Sequence, residues 1–196
     1  MNMGVGKESI EFFKQSFFIM AISLVGAFLA GTVLGGDLMV SYIEEFPGLL
    51  LIVPAFLATR GNVYGVLGAR VATALHQGLI EPGTDFDWRL VNSVVASILN
   101  GVFISGFMGV AGWSFFTIIG REVSSFFPYV SILLLAGLLT GVTLSFVIVF
   151  LLFLGFKYGV DPDVINGPVV TSLGDFIGTL LLLVSVLIIR WLIYAV

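Results

Sequence analysis

Charged residues in this chain fall in clusters, and between the clusters the sequence is apolar almost without interruption. Uncharged runs cover residues 15–36, 46–59, 90–120, 123–156 and 164–174, and the second and fifth continue as apolar sequence beyond Arg60 and Asp175. A bilayer's hydrocarbon core, about 30 Å thick, needs about 20 apolar residues in a helix that crosses it. The runs are apolar on every side, whereas barrel strands alternate apolar and polar positions. The pattern therefore predicts an all-α integral membrane protein with five transmembrane helices.

The first helix runs from about Ser16 to Gly35 and ends at Gly35-Gly36-Asp37, where paired glycines and an acid break the pattern. The second extends from about Phe46 to Gly78, with an interruption expected at Arg60-Gly61-Asn62. The third and fourth cover roughly Trp88–Ile118 and Phe126–Phe156, and the fifth follows Asp161-Pro162 and reaches about Tyr194. Pro162 suits a first helical turn, where its missing N–H costs nothing. Pro168 lies deeper and predicts a break or kink near Asn166-Gly167. Irregular backbone at membrane depth is tolerated where it is buried in protein or lines a wet cavity.

Small residues recur at four-residue spacing: Ala27-Gly31-Gly35, Gly61-Gly65-Ala69, Gly101-Ser105-Gly109 and Gly137-Gly141-Ser145. Such stripes let helix backbones approach closely in lipid, which a tightly packed bundle alone would explain.

Composition agrees with the pattern. The chain is 59% hydrophobic and 10% charged, and its mean hydropathy is +1.15. Net charge is −4, with no basic stripe for nucleic acid. The absence of cysteine removes disulfides, thiolate metal sites and cysteine nucleophiles together. A single histidine and no clustered acids within the helices leave little for acid–base or nucleophilic catalysis, so no enzyme is expected. Lys7, Lys14, Arg89 and Lys157 would share one side of the membrane, and Arg121 and Arg190 the other. That bias predicts a cytoplasmic N-terminus and a C-terminus outside. Residues 1–196 read as a single multi-pass domain of the cell membrane, in contact with membrane lipid, with no soluble regulatory domain.

Asp175 lies near the middle of the fifth segment, where ionising a carboxylate is costly. On a regular helix it shares a face with Thr171 and Thr179. Hard divalent cations take oxygen ligands, and Mg²⁺ keeps much of its water. Asp175, Thr171 and carbonyls freed near Gly167-Pro168 would supply a suitable mixture; the amide oxygen of Asn62 would suit a hydrated cation, and equally Asn62 would close a helix break. Two other readings compete: Asp175 pairs structurally with Arg60 or Arg70, or stays protonated as a hydrogen-bond donor. Arg70 is expected off any ion path, bonded to carbonyls or a carboxylate. Asp161 and Asp163, the first-loop acids Asp37, Glu44 and Glu45, and the second-loop acids Glu81, Asp85 and Asp87 read by default as solvated loop charges, which at a pore mouth would raise the local cation concentration. His76 reads as an interfacial or hydrogen-bonded residue, since a zinc site would need further ligands.

Two segments carry a family resemblance. PAFLATRGNVYGVLGARVATALHQG, residues 54–78, resembles the second transmembrane helix of the MgtE/SLC41 divalent-cation transporters, with its proline, Gly-Asn and later arginine. DPDVINGPVVTSLGDFIG, residues 161–178, resembles that family's fifth helix, with Asp-Pro, Gly-Pro, Thr and Asp-x-x-Gly elements.

The resemblance implies a homodimer of five-helix protomers with a cation path near the twofold axis. It implies a channel or transporter for divalent cations, most of all Mg²⁺, with Mn²⁺ or another divalent cation as alternatives. Asp175 would be the main ion-binding carboxylate, with Thr171, Gly167, Gly61 and Asn62 at the matching positions. Gly167 would contribute only its carbonyl. The cytoplasmic Mg²⁺-sensing region of bacterial members has no counterpart here, so gating of that kind is not expected.

Overall fold

A computed structural model describes residues 4–82 and 87–194; Asp85, one of the acids assigned to the second loop, lies outside them. The described residues form α1 (Gly4–Leu34), α2 (Asp37–Glu45), α3 (Leu49–His76), α4 (Trp88–Ile118), α5 (Phe126–Lys157), α6 (Pro162–Pro168), a π-helical turn (Val169–Leu173) and α7 (Gly174–Tyr194). Among the described residues, five stretches are long and apolar enough to cross a membrane: Ser16–Leu34, Leu49–His76, Trp88–Ile118, Phe126–Lys157 and Pro162–Tyr194. The protein is a multi-pass membrane protein with all-α spans.

Two spans are composite or kinked. The second, α3, carries Pro54 inside the helix, where the ring removes a backbone bond. The interruption expected at Arg60-Gly61-Asn62 does not form, and the helix continues through these residues. In lipid a broken turn leaves backbone groups with no water to bond, so glycine and asparagine stay helical there. The fifth span is assembled from α6, the π turn and α7, as Pro168 foretold.

α5 is the spine of the bundle, packing against α4, α7 and α3, while α1 lies against α7 and the π turn. One apolar cluster gathers Met39, Phe46, Leu49, Phe56, Ile132, Leu133 and Leu182. A second, toward the other end, gathers Leu67, Val71, Leu75, Leu144, Ile148 and Leu152. Between them, at Arg60 of α3 and Thr140 of α5, the interior turns polar. The short helix α2, which hydropathy did not predict, is tied to the end of α7. There Arg190 donates from Nε to both carboxylate oxygens of Glu45, at 3.0 and 2.8 Å.

The small-residue stripes divide into two kinds. Those of α4 and α5 face each other: a Cβ added to Gly137 would collide with the side chain of Ser105. The α3 stripe is open, because a Cβ on Gly61 or Gly65 would meet nothing within 4 Å, and Ala69 is exposed. Gly137→Val should therefore overpack the α4–α5 seam and destabilise the bundle by about 1–3 kcal/mol. Gly65→Ala should leave unfolding of the detergent-solubilised protomer unchanged, and a denaturation series on both variants checks the contrast.

Candidate functional site

The fifth span is built around its irregular entry. Asp161 caps α6, its carboxylate accepting from the backbone N–H of Asp163 at 2.9 Å, with Pro162 in the first turn. Pro168 has no N–H to return to the preceding turn. The chain then widens, and the N–H of Gly174 reaches the carbonyl of Val169 five residues back. Single π turns of this kind are frequent at functional sites. Asp175 follows at once, in the first turn of α7, and is partly buried.

The π turn changes the helical phase. Thr171 is exposed and Asp175 partly buried, whereas Thr179 is 1% exposed and donates to the Asp175 carbonyl at 2.7 Å. The shared face expected for Thr171, Asp175 and Thr179 is thus twisted out of line. Nor are the carbonyls near the proline left without a donor. The Thr171 hydroxyl lies 3.0 Å from the Gly167 carbonyl and 3.3 Å from that of Pro168.

Against this segment lies α3, which packs on α6, the π turn and α7. Asn166 Nδ2 donates to the Gly65 carbonyl at 3.3 Å. The same amide fills the place a side chain would take at Gly68, where any Cβ would overlap Asn166 Oδ1. This clasp, which sequence reasoning missed, joins the two spans that hold all five predicted site residues. Asn62, Gly167 and Thr171 are exposed on the single chain, and Gly61 is partly buried.

The arginines do not form the structural pairs considered from sequence. Among the described residues the ion pairs are His76 with Asp161 and Asp163, and Arg190 with Glu45. Arg70 is exposed, and its guanidinium makes neither ion pair nor hydrogen bond there, against the expectation of a bonded role. Arg60 is 3% exposed, and none of its guanidinium nitrogens has a hydrogen-bond partner. Its head lies 3.7 Å above the centroid of the Phe56 ring.

At the end of the bundle away from Glu45 and Arg190, the chain brings together a second cluster. His76 Nε2 lies 3.3 Å from Asp161 Oδ1 and 3.7 Å from Asp163 Oδ2. One ligand atom from each residue falls within 4.8 Å of the others, and all three residues are exposed. An imidazole and two carboxylates are a donor set able to coordinate a divalent cation. From sequence the two acids read as loop charges and His76 as an interfacial residue, with nothing within one segment to join them. The signal was topological: the end of the second span and the start of the fifth share one face of the membrane.

Comparison with known proteins bears on the same segments. The family model of the MgtE divalent cation transporter matches residues 53–185. The chain is similar to solute carrier family 41 member 3 of Rattus norvegicus, 25% identical over 200 residues covering 93% of this chain and 41% of that protein. It is similar to solute carrier family 41 member 2 of Gallus gallus, 29% identical over 183 residues, 84% of this chain and 30% of that protein. The human member 2 is 27% identical over 181 residues, with the same coverage of 84% and 30%. The chain thus spans less than half the length of these relatives, and no solved structure matches it. The matched region contains Gly61, Asn62, Gly167, Thr171 and Asp175, and the chain belongs to the MgtE family of divalent-cation transporters, which are transporters rather than enzymes.

Proposed function

We propose that the protein moves divalent cations, Mg²⁺ foremost, along a path between two copies of the chain, with Asp175 as its main ion-binding carboxylate. The observation that carries this reading is the placement of Asp175: a partly buried acid in an apolar span, directly after a π turn. An acid held at that depth without an ion-pair partner is costly unless a cation or water reaches it.

A second copy fits the open face of α3. Asn62, Val66, Ala69 and Arg70 are exposed there, beside glycines that have nothing packed against them. With Gly167 and Thr171 also exposed, these oxygen groups would supply half of an enclosure for an ion held at Asp175. A twofold axis would complete it and bring two carboxylates to one ion. Two carboxylates with amide and carbonyl oxygens suit Mg²⁺ that keeps most of its water. Gly61 contributes by leaving room beside Asn62.

With the N-terminus in the cytoplasm and the C-terminus outside, His76, Asp161 and Asp163 stand at the cytoplasmic mouth. The carboxylates there raise the local concentration of cations. Residues 1–196 act in this reading as one membrane domain.

Reconstituted into liposomes, the protein should carry Mg²⁺, and Asp175→Asn should reduce flux to the level of empty vesicles while the dimer still elutes intact. Unchanged flux in that variant would sink the reading. At the mouth, His76→Ala should weaken Mn²⁺ binding to the purified protein at least about tenfold, read by paramagnetic titration, and should affect Mg²⁺ binding less, because imidazole favours the transition metals.

A further inference from the structure

Arg60 takes no part in the ion path just described, yet it is the most deeply placed charge among the described residues. A guanidinium in an apolar bundle is costly without acceptors, and each of its nitrogens lacks a hydrogen-bond partner. Its head is held on two sides by contacts that make no hydrogen bond. One is the Phe56 ring. The other is Gly178 of α7, where an added Cβ would collide with the guanidinium carbon. Gly178 is three residues beyond Asp175, so the head lies about one helical turn from the carboxylate. The two groups are not within ion-pair distance, but the charge of each acts on the other.

On its other side the head borders a cavity of about 10 Å³ lined in part by Thr59, Tyr64, Ser105 and Thr140. That volume accommodates about one water molecule. Thr140 Oγ1 is buried there with no hydrogen-bond partner of its own. One guanidinium thus lies between two sets of acceptors, the carboxylate of Asp175 and a hydroxyl-lined cavity, and is bonded to neither.

We propose that Arg60 is a tethered rival of the transported cation: its guanidinium pairs with Asp175 when the ion leaves and withdraws to the Ser105–Thr140 cavity when an ion arrives. This rests on the reading of Asp175 as the ion site. The carboxylate then never faces the apolar interior as a bare charge. A divalent ion on Asp175 repels the guanidinium, which turns to donate to the cavity hydroxyls, directly or through the one water the cavity accommodates. The rivalry weakens cation binding and speeds release, which is what turnover needs. No covalent step is involved, and Arg60 does not touch the ion; it acts through Asp175 as a positioning residue.

The test separates affinity from rate in proteoliposomes loaded with a Mg²⁺-sensitive dye. Arg60→Gln removes the rival charge and keeps an amide. It should lower the half-saturating Mg²⁺ concentration by about 5- to 150-fold, the usual range of coupling between two sites, while lowering the maximal rate. Arg60→Lys, which keeps the charge on a shorter reach, should fall between. Gly178→Ala keeps the charge but takes the place of the head, pushing it toward the cavity. It should shift half-saturation in the same direction and by less, and it serves as the second test if Arg60→Gln fails to assemble. A fall in maximal rate with half-saturation unchanged in the variants that assemble would mean that Arg60 is only structural, and would overturn the proposal. If the parent protein shows no Asp175-dependent flux, the transport reading itself fails. Asp175-dependent flux that is indifferent to Arg60 and Gly178 removes the rivalry alone.

Discussion

The cost of ionised groups inside an apolar bundle constrains the rest of this structure. Asp175 and Arg60 are charges of opposite sign on adjacent spans, each within the other's field and not in contact. A buried pair of this kind contributes little to stability, because desolvation offsets most of the attraction. Full pairing would spend both charges on holding the helices together. In the observed arrangement the guanidinium is bonded to neither carboxylate nor hydroxyl, which leaves the carboxylate available to a cation, and local features hold it beside Asp175. Gly178 makes room for the guanidinium, Phe56 supports it, and the π turn sets the phase of Asp175.

The packing follows from where these groups must stand. α5 supplies an apolar spine, with a cluster at each end and a polar belt where Arg60 and Thr140 meet. Close approach of α4 and α5 through their small residues fixes the wall of that belt. α3 and the fifth span are held together by Asn166 against Gly65 and Gly68, so the spans that carry the Gly-Asn pair and Asp175 are clasped to each other. Rigidity is built on one side of α3, and its other side is left open to a further surface.

Much of this was legible in the residues. The lengths of the uncharged runs predicted the spans, since the bilayer imposes a length on any helix that crosses it. Pro162 and Pro168 predicted the composite entry to the fifth span, because proline acts on the backbone wherever it lies. The expected break at Arg60-Gly61-Asn62 failed for a physical reason: weak helix formers do not interrupt a helix whose backbone has no water to turn to. The Thr171–Asp175–Thr179 stripe assumed an even helical period, which the π turn removes. His76 with Asp161 and Asp163, and Asn166 with Gly65, join residues far apart in sequence. Periodicity within one segment carries no information about such meetings, whereas the order of the spans does for the first of them.

In the dimer proposed above, two copies of Asp175 share one divalent ion. Anomalous diffraction from crystals of the dimer grown with Mn²⁺ tests it directly. A peak is expected on the twofold axis between the two Asp175 carboxylates, flanked by Thr171 and Asn62 and absent in Asp175→Asn. Asp175 carboxylates turned to lipid on separate faces of the dimer, with Mn²⁺ bound only at His76, Asp161 and Asp163, would contradict it.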